Sequence, residues 1–186
     1  MVTVSPCAAD DPELLPLVEA MNVEIVALYE MGPDARLYSL GPDARYLLAR
    51  REGRPVGCCA VRPARGTDGT AGGALAGIWE LNRVFVARSG RRTGVAAGML
   101  AHAEEFVRQL GGVALRLETG DRQPNAMRLY ERAGYLRIPN YPPHEHTARS
   151  RCYEKNLRPL PGPDIPAQSG FAESRPTESS PTEPAS

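Results

Sequence analysis

The chain has 186 residues, enough for one domain of ordinary size with a tail and too few for two full domains. With 42% hydrophobic and 24% charged residues it reads as a globular protein able to bury a core, which excludes collagen-like and wholly disordered chains. Twenty-two basic residues balance 22 acidic ones, so neither nucleic acid nor a membrane surface is expected as a partner, and small-molecule chemistry is the better expectation.

Residues 2–5 are predicted as a short strand. A helix follows over 11–31, opened by Asp11-Pro12, with Leu14, Leu17, Val18, Met21, Ile25 and Leu28 on one face. Residues 45–51 and 55–62 read as two antiparallel strands joined through Glu52-Gly53-Arg54, a link of hairpin length. The Gly-rich stretch 67–73 is expected to be a flexible turn. Residues 74–86 then give a long strand that carries Ile78, Glu80, Asn82 and Val84 on one side by simple alternation. A second helix over 93–110 lines up Val95, Met99, Ala103, Phe106, Val107 and Leu110 and stops at Gly111-Gly112. Strand 113–118, a short helix over 124–132 ended by Gly134, and closing strands 135–138 and 151–155 around the loop 139–150 complete the domain. The order βαβββαβαββ predicts an α/β fold with a mixed sheet and helices on both faces. Residues 159–186 hold seven prolines among Ser, Thr and Glu, too few apolar groups to offset the entropy of ordering, and are expected to form a disordered tail after a domain spanning 1–158.

The tail has four acids and one arginine, so it carries −3 and leaves +3 on residues 1–158, a mild bias toward an anionic ligand. Lys155 is the one lysine; the reliance on arginine, with many Ala, Gly and Pro, points to a GC-rich bacterial genome. Cys7, Cys58, Cys59 and Cys152 show neither a C-x-x-C pair nor a disulfide framework. Residues 1–7 lack a basic stretch followed by an apolar run, so a cytoplasmic protein is expected.

The informative stretch runs from Glu80 to Ala97: a strand ending at Val86 feeds a basic, Gly-containing turn straight into a helix N-terminus. The first turn of a helix has backbone N–H groups without intrahelical partners and carries the positive end of the macrodipole, so phosphate fits there. Gly94 and Ala96 keep the backbone approachable, and Arg91 and Arg92 add two cations beside the turn. The plainer alternative is small residues at a helix–sheet crossing with solvated arginines. Neither G-x-x-x-x-G-K-[ST] nor G-x-G-x-x-G is present, which sets aside two familiar nucleotide loops.

Arg91-Arg92-Thr93-Gly94-Val95-Ala96 resembles the [QR]-x-x-G-x-[GA] signature of the GNAT superfamily of acetyl-CoA-dependent N-acetyltransferases. Residues 125–135, with Leu129-Tyr130-Glu131 and Gly134-Tyr135, are similar to that family's A-[IM]-x-L-Y-E-x-x-G-[FY] segment. The resemblance covers residues 74–157 and implies a central, mostly antiparallel, splayed sheet of six to seven strands. It further implies that main-chain groups of Val84, Phe85 and Val86 hold the pantetheine arm of acetyl-CoA, and that N–H groups from Arg91, Arg92, Thr93, Gly94, Val95, Ala96 and Ala97 hold the pyrophosphate. Gln123 stands where the family has a cofactor-contacting Asn. Tyr130 is implied as the acid for the leaving thiolate. Glu80, on the side of Val84 and Val86 by alternation and set against Ile78 and Trp79, is the candidate base, the alternative being a Glu that orients substrate or pairs with an arginine.

The implied reaction is direct acetyl transfer to a primary amine of a small molecule or peptide, with no metal, by a monomer or homodimer. Tyr29, Tyr38, Glu80, Asn82 and residues 141–146 would wall the acceptor site. His144-Glu145-His146 could suggest a metal, but adjacent residues rarely close a metal site. Cys58 and Cys59 sit in an apolar strand without a paired His and are expected to be inert. A non-catalytic acyl-CoA-binding module on the same fold is the rival. A succinyl donor is the lesser one, since alternation turns Arg83 away from Val84.

Overall fold

The computed structural model describes residues 1–32, 42–66 and 75–158. The turn expected at 67–73, Tyr38, Ala74 and the tail 159–186 lie outside them. Within the described residues seven strands and three α-helices follow in the order β1 (Val2–Cys7), α1 (Leu15–Leu28), β2 (Arg45–Arg51), β3 (Arg54–Pro63), β4 (Ile78–Val86), α2 (Val95–Gln109), β5 (Ala114–Gly120), α3 (Pro124–Arg132), β6 (Leu136–Ile138) and β7 (Ser150–Asn156). The sheet order is β1-β2-β3-β4-β5-β7-β6. Every neighbouring pair is antiparallel except β4 and β5, whose parallel run requires the α2 crossover.

The element order and the mixed sheet follow the sequence reading, and the differences sit at element ends. α1 begins at Leu15, because Pro16 lacks an N–H and residues 11–14 form turns instead, with the Asp11 side chain accepting from the Glu13 amide at 2.8 Å. β4 starts at Ile78, after Gly77 turns the chain at φ 77°.

The two faces of the sheet build separate cores. On one, Leu47, Val61, Leu81, Met99, Val107, Leu115, Leu117 and Tyr135 pack beneath α2 and α3; on the other, Leu14 with Leu17 and Met21 of α1 covers Leu48, Cys58 and Phe85. Helices therefore flank both faces, each burying its apolar stripe.

Two irregularities in β4 shape the centre of the sheet. β4 ladders on β3 as far as Gly57↔Val86 but on β5 only from Ile78↔Ala114 to Leu81↔Leu117, so beyond Leu81 the two central strands diverge. Opposite Cys58 to Ala60, β4 carries an extra residue, with Phe85 facing Cys58 and Asn82 facing Ala60. Arg83 sits in this bulge at φ 57°.

Candidate active site

The bulge overturns simple alternation. Inserting one residue flips the side chains that follow it: Leu81 faces the α2 core, Phe85 faces the α1 core, and Val84 and Val86 return to the α2 side. Glu80 is thus not on the side of Val84 and Val86, nor is it set against Trp79, which packs toward α2 with the main core.

What surrounds Glu80 is charge. The residue is only 4% exposed, and register places Arg62 of β3 and Arg116 of β5 beside it. Its Oε2 pairs with Arg62 at 2.9 Å and its Oε1 with Arg116 at 2.8 Å. The Arg116 guanidinium also lies 3.8 Å from the Tyr141 ring centroid. With both oxygens engaged, taking a proton from an amine requires Glu80 to break an ion pair; the geometry is that of a buried strut across the sheet. Replacing Glu80 with Gln is expected to lower stability by about 2 kcal/mol by leaving two guanidiniums short of an anion. At roughly 2–4 °C per kcal/mol for a chain of this size, a thermal melt reads it. A loss of turnover with an unchanged melt would instead give Glu80 the base role.

A cleft of about 1250 Å³ opens where β4 and β5 part. Its walls are Met21, Glu24 and Ile25 of α1, Ala96, Ala97 and Leu100 of α2, and Gln123, Ala126 and Tyr130 around α3, with Val84, Phe85 and Val86 along β4. Among the residues singled out from sequence, the cleft gathers Val84, Phe85, Val86, Arg91, Ala96, Ala97, Gln123 and Tyr130; Glu80 is not on its walls, nor are Arg92, Thr93, Gly94 and Val95. The Ala87 amide donates to the Val56 carbonyl at 2.9 Å, so by alternation the amides of Val84 and Val86 face away from β3, into the gap. The Val86 carbonyl likewise turns outward and accepts from Arg91 Nε at 2.9 Å.

The helix mouth is open. Gly94 adopts φ 83° just before α2, and a Cβ built there meets nothing within 4 Å. Among the described residues no side-chain hydrogen bond caps the first turn. Val95 is 1% exposed and anchors that turn in the core, while Thr93 Oγ1 donates to the Gly90 carbonyl at 2.7 Å and steadies the preceding loop. The two arginines of the turn differ. Arg91 is bound at 2.6 and 2.8 Å to the Glu24 carboxylate of α1, a partner 67 positions away that the sequence did not signal. Arg92 is exposed at φ 62° with no ion-pair partner among the described residues. Arg88, which also lines the cleft, was missed from sequence.

Tyr130 stands on the wall at 4% exposure, edge-on to Tyr135 with ring centroids 6.0 Å apart. Burial first, then the neighbouring Cys59 and Glu118, pushes its hydroxyl well above the ordinary tyrosine range, so it keeps its proton throughout the working pH range. Gln123 Nε2 donates to the Tyr29 hydroxyl at 3.4 Å, and Gly120 leaves room for the Tyr29 ring, which any Cβ would strike. Tyr141 is buried beside His144, their rings 5.7 Å apart, whereas Glu145 and His146 are exposed. No group of three or more His, Cys, Asp or Glu side chains among the described residues could hold a metal ion.

Burial pushes the Cys58 thiol up to about 12 and Cys59 higher still. Both are expected to stay protonated and resist a disulfide reagent in the native protein at neutral pH. Rapid labelling of either, with parallel loss of activity, would contradict that.

The comparisons with known proteins agree with this fold. The acetyltransferase (GNAT) family matches residues 15–135. A curated relative, the IAA acetyltransferase of Azospirillum brasilense, is 34% identical over 112 residues, covering 60% of this chain and 67% of the relative. Among solved structures, a protein from Klebsiella pneumoniae subsp. pneumoniae MGH 78578, whose acyl-CoA N-acyltransferase activity is itself inferred, has 29% identity and a TM-score of 0.68, covering 85% of this chain and 99% of its own. An aminoglycoside 6'-N-acetyltransferase complexed with coenzyme A shares the fold at 18% identity and a TM-score of 0.61, covering 86% and 99%. With residues 15–135, more than half its length, matched by the family, the chain belongs to the GNAT family of acetyltransferases.

Proposed function

We propose that residues 1–158 form the catalytic unit of a cytoplasmic N-acetyltransferase, a monomer or homodimer, that moves the acetyl group of acetyl-CoA to a primary amine of a small molecule or peptide within a ternary complex. The observation that carries this reading is the run of open main chain along β4 from Asn82 to Val86, which leads directly to the uncapped first turn of α2. These residues fit an extended arm ending in a diphosphate: the β4 edge offers outward amides to an amide-bearing chain, and the helix mouth offers unpaired N–H groups to an anion.

Acetyl-CoA supplies an acyl thioester whose carbonyl carbon is open to an amine. Val84 and Val86 would hold the arm through their amides, leaving both side chains free to pack. Arg92 and the amides of Thr93 to Ala97 would neutralise the diphosphate, while Arg91, tied to Glu24 and Val86, fixes the shape of the turn instead. Tyr130 keeps a proton at its hydroxyl on the cleft wall, where it can be given to a departing sulfur. Because Glu80 is bound on both oxygens, the amine loses its proton to water, with Glu80 fixing the strands around it.

Incubation with acetyl-CoA and a broad amine panel, following free thiol, tests the reading. Thiol release that depends on the amine is expected. A thermal shift with CoA but no thiol release from any amine would identify a binding module on the same fold.

A further inference from the structure

Among the described residues the charge around the β4 bulge is unbalanced. Arg62, Arg83 and Arg116 share this region of the α1 face with Glu80, which takes both Arg62 and Arg116. Asp43 nearby is already bound to Arg65 at 2.8 Å. Arg83 is left over: half-buried between Tyr46, Arg62 and Cys58, it has no ion-pair or hydrogen-bond partner for its guanidinium among the described residues. Burial lowers its pKa, the sign of a cation partly stripped of water and given no anion in return by the described residues.

A second donor is in the same condition. Asn82 Nδ2 is buried with no hydrogen-bond partner among the described residues, and a bulge re-aims the side chains of its own residues. The backbone adds a third sign. Arg83 stands at φ 57°, where an arginine costs about 1 kcal/mol that glycine would not. The bulge lies where β4 leaves β5, next to Val84 on the cleft wall, at the far end of the open edge from the helix mouth.

Resting on the acetyl-transfer reading above, we infer that Arg83, with Asn82, forms a carboxylate-binding subsite, so that the acceptor is an amine that also carries a carboxylate. The subsite sits on the side of the sheet opposite the Val84 side chain, which favours the acceptor over the acyl donor as the source of the anion. Arg83 acts in binding and selection, and no proton or bond passes through it.

The test pairs carboxylated amines with their amides: α-amino acids, β-alanine and γ-aminobutyrate, each against its carboxamide, with acetyl-CoA. The wild type is expected to favour the carboxylate by about tenfold or more in kcat/KM, as a charge-assisted hydrogen bond would give. Arg83→Gln should bring that ratio close to one without changing the acetyl-CoA Kd. Arg83→Gly, which relaxes the backbone, should keep the melting temperature and lose the same preference. A wild type indifferent to the carboxylate, or a preference that survives in both variants, overturns the inference. Should no amine be acetylated, calorimetry of the same pairs with CoA-loaded protein decides separately: carboxylate-selective binding lost in Arg83→Gln upholds the subsite while the transfer reading falls, and unselective or absent binding removes the subsite. A wild type that uses succinyl-CoA over acetyl-CoA, with the preference lost in Arg83→Gln, places the carboxylate on the donor and also overturns it.

Discussion

Gly94→Glu is expected to weaken acetyl-CoA binding by about 100-fold or more while the protein stays folded. The fold survives because a side chain at Gly94 points into open space. The cost to folding is confined to φ 83°, a left-handed value that costs a non-glycine residue about 1 kcal/mol. Binding suffers because a carboxylate placed at the mouth of α2 takes the position of an anion and engages the same unpaired amides. Gly94→Ala separates the two effects, since it carries the backbone strain without the charge, and its affinity should lie much nearer to that of the wild type. Calorimetric titration with acetyl-CoA checks both. Equal affinity of Gly94→Glu and wild type would remove the helix mouth from the binding site.

Tyr130→Phe is expected to lower kcat by roughly 100-fold, the scale of one general acid, with little change in the acetyl-CoA Kd. The ring remains in place against Tyr135 and Tyr153, so packing is kept and the hydroxyl alone is lost. The pH dependence carries a sign. Because burial raises the Tyr130 pKa, the acid form persists as pH rises, and no alkaline fall in kcat belongs to this residue within the ordinary range. If kcat and affinity fall by the same factor, Tyr130 is a packing residue. An alkaline limb present in wild type and absent from Tyr130→Phe would show that its hydroxyl ionises where the structure says it does not.

Much of the fold could be read from local pattern. Residues 45–51 and 124–132 have the bounds expected of them, each a short periodic segment held between turn residues or a proline and a glycine. The turn from Val86 to Gly94 was legible for the same reason: a helix mouth is a local object, and a glycine before it announces a left-handed backbone. The β4 bulge was not. Alternation assumes one residue per partner, and the residue that breaks it is Arg83, where no Gly or Asn marks a positive φ. That single insertion turned Val84 and Val86 off the face of Glu80, where strand register pairs the carboxylate with Arg62 and Arg116, residues 18 and 36 positions distant. Arg116 in the apolar run Ala114-Leu115-Arg116-Leu117 was the available hint, because an arginine amid buried neighbours needs an anion. Which anion it finds depends on strand register, which no local pattern encodes.

The opening between β4 and β5 is likewise a property of two strands separated by a helix, visible only once their ladder is seen to stop at Leu81↔Leu117. Amide hydrogen exchange on the full chain, with and without saturating CoA, tests that opening most directly. Added protection is expected at the amides of Val84 and Val86 and at residues 93–97, with the edge strand β1 unchanged. Protection confined to other elements, or none at these amides while CoA is bound, would contradict it.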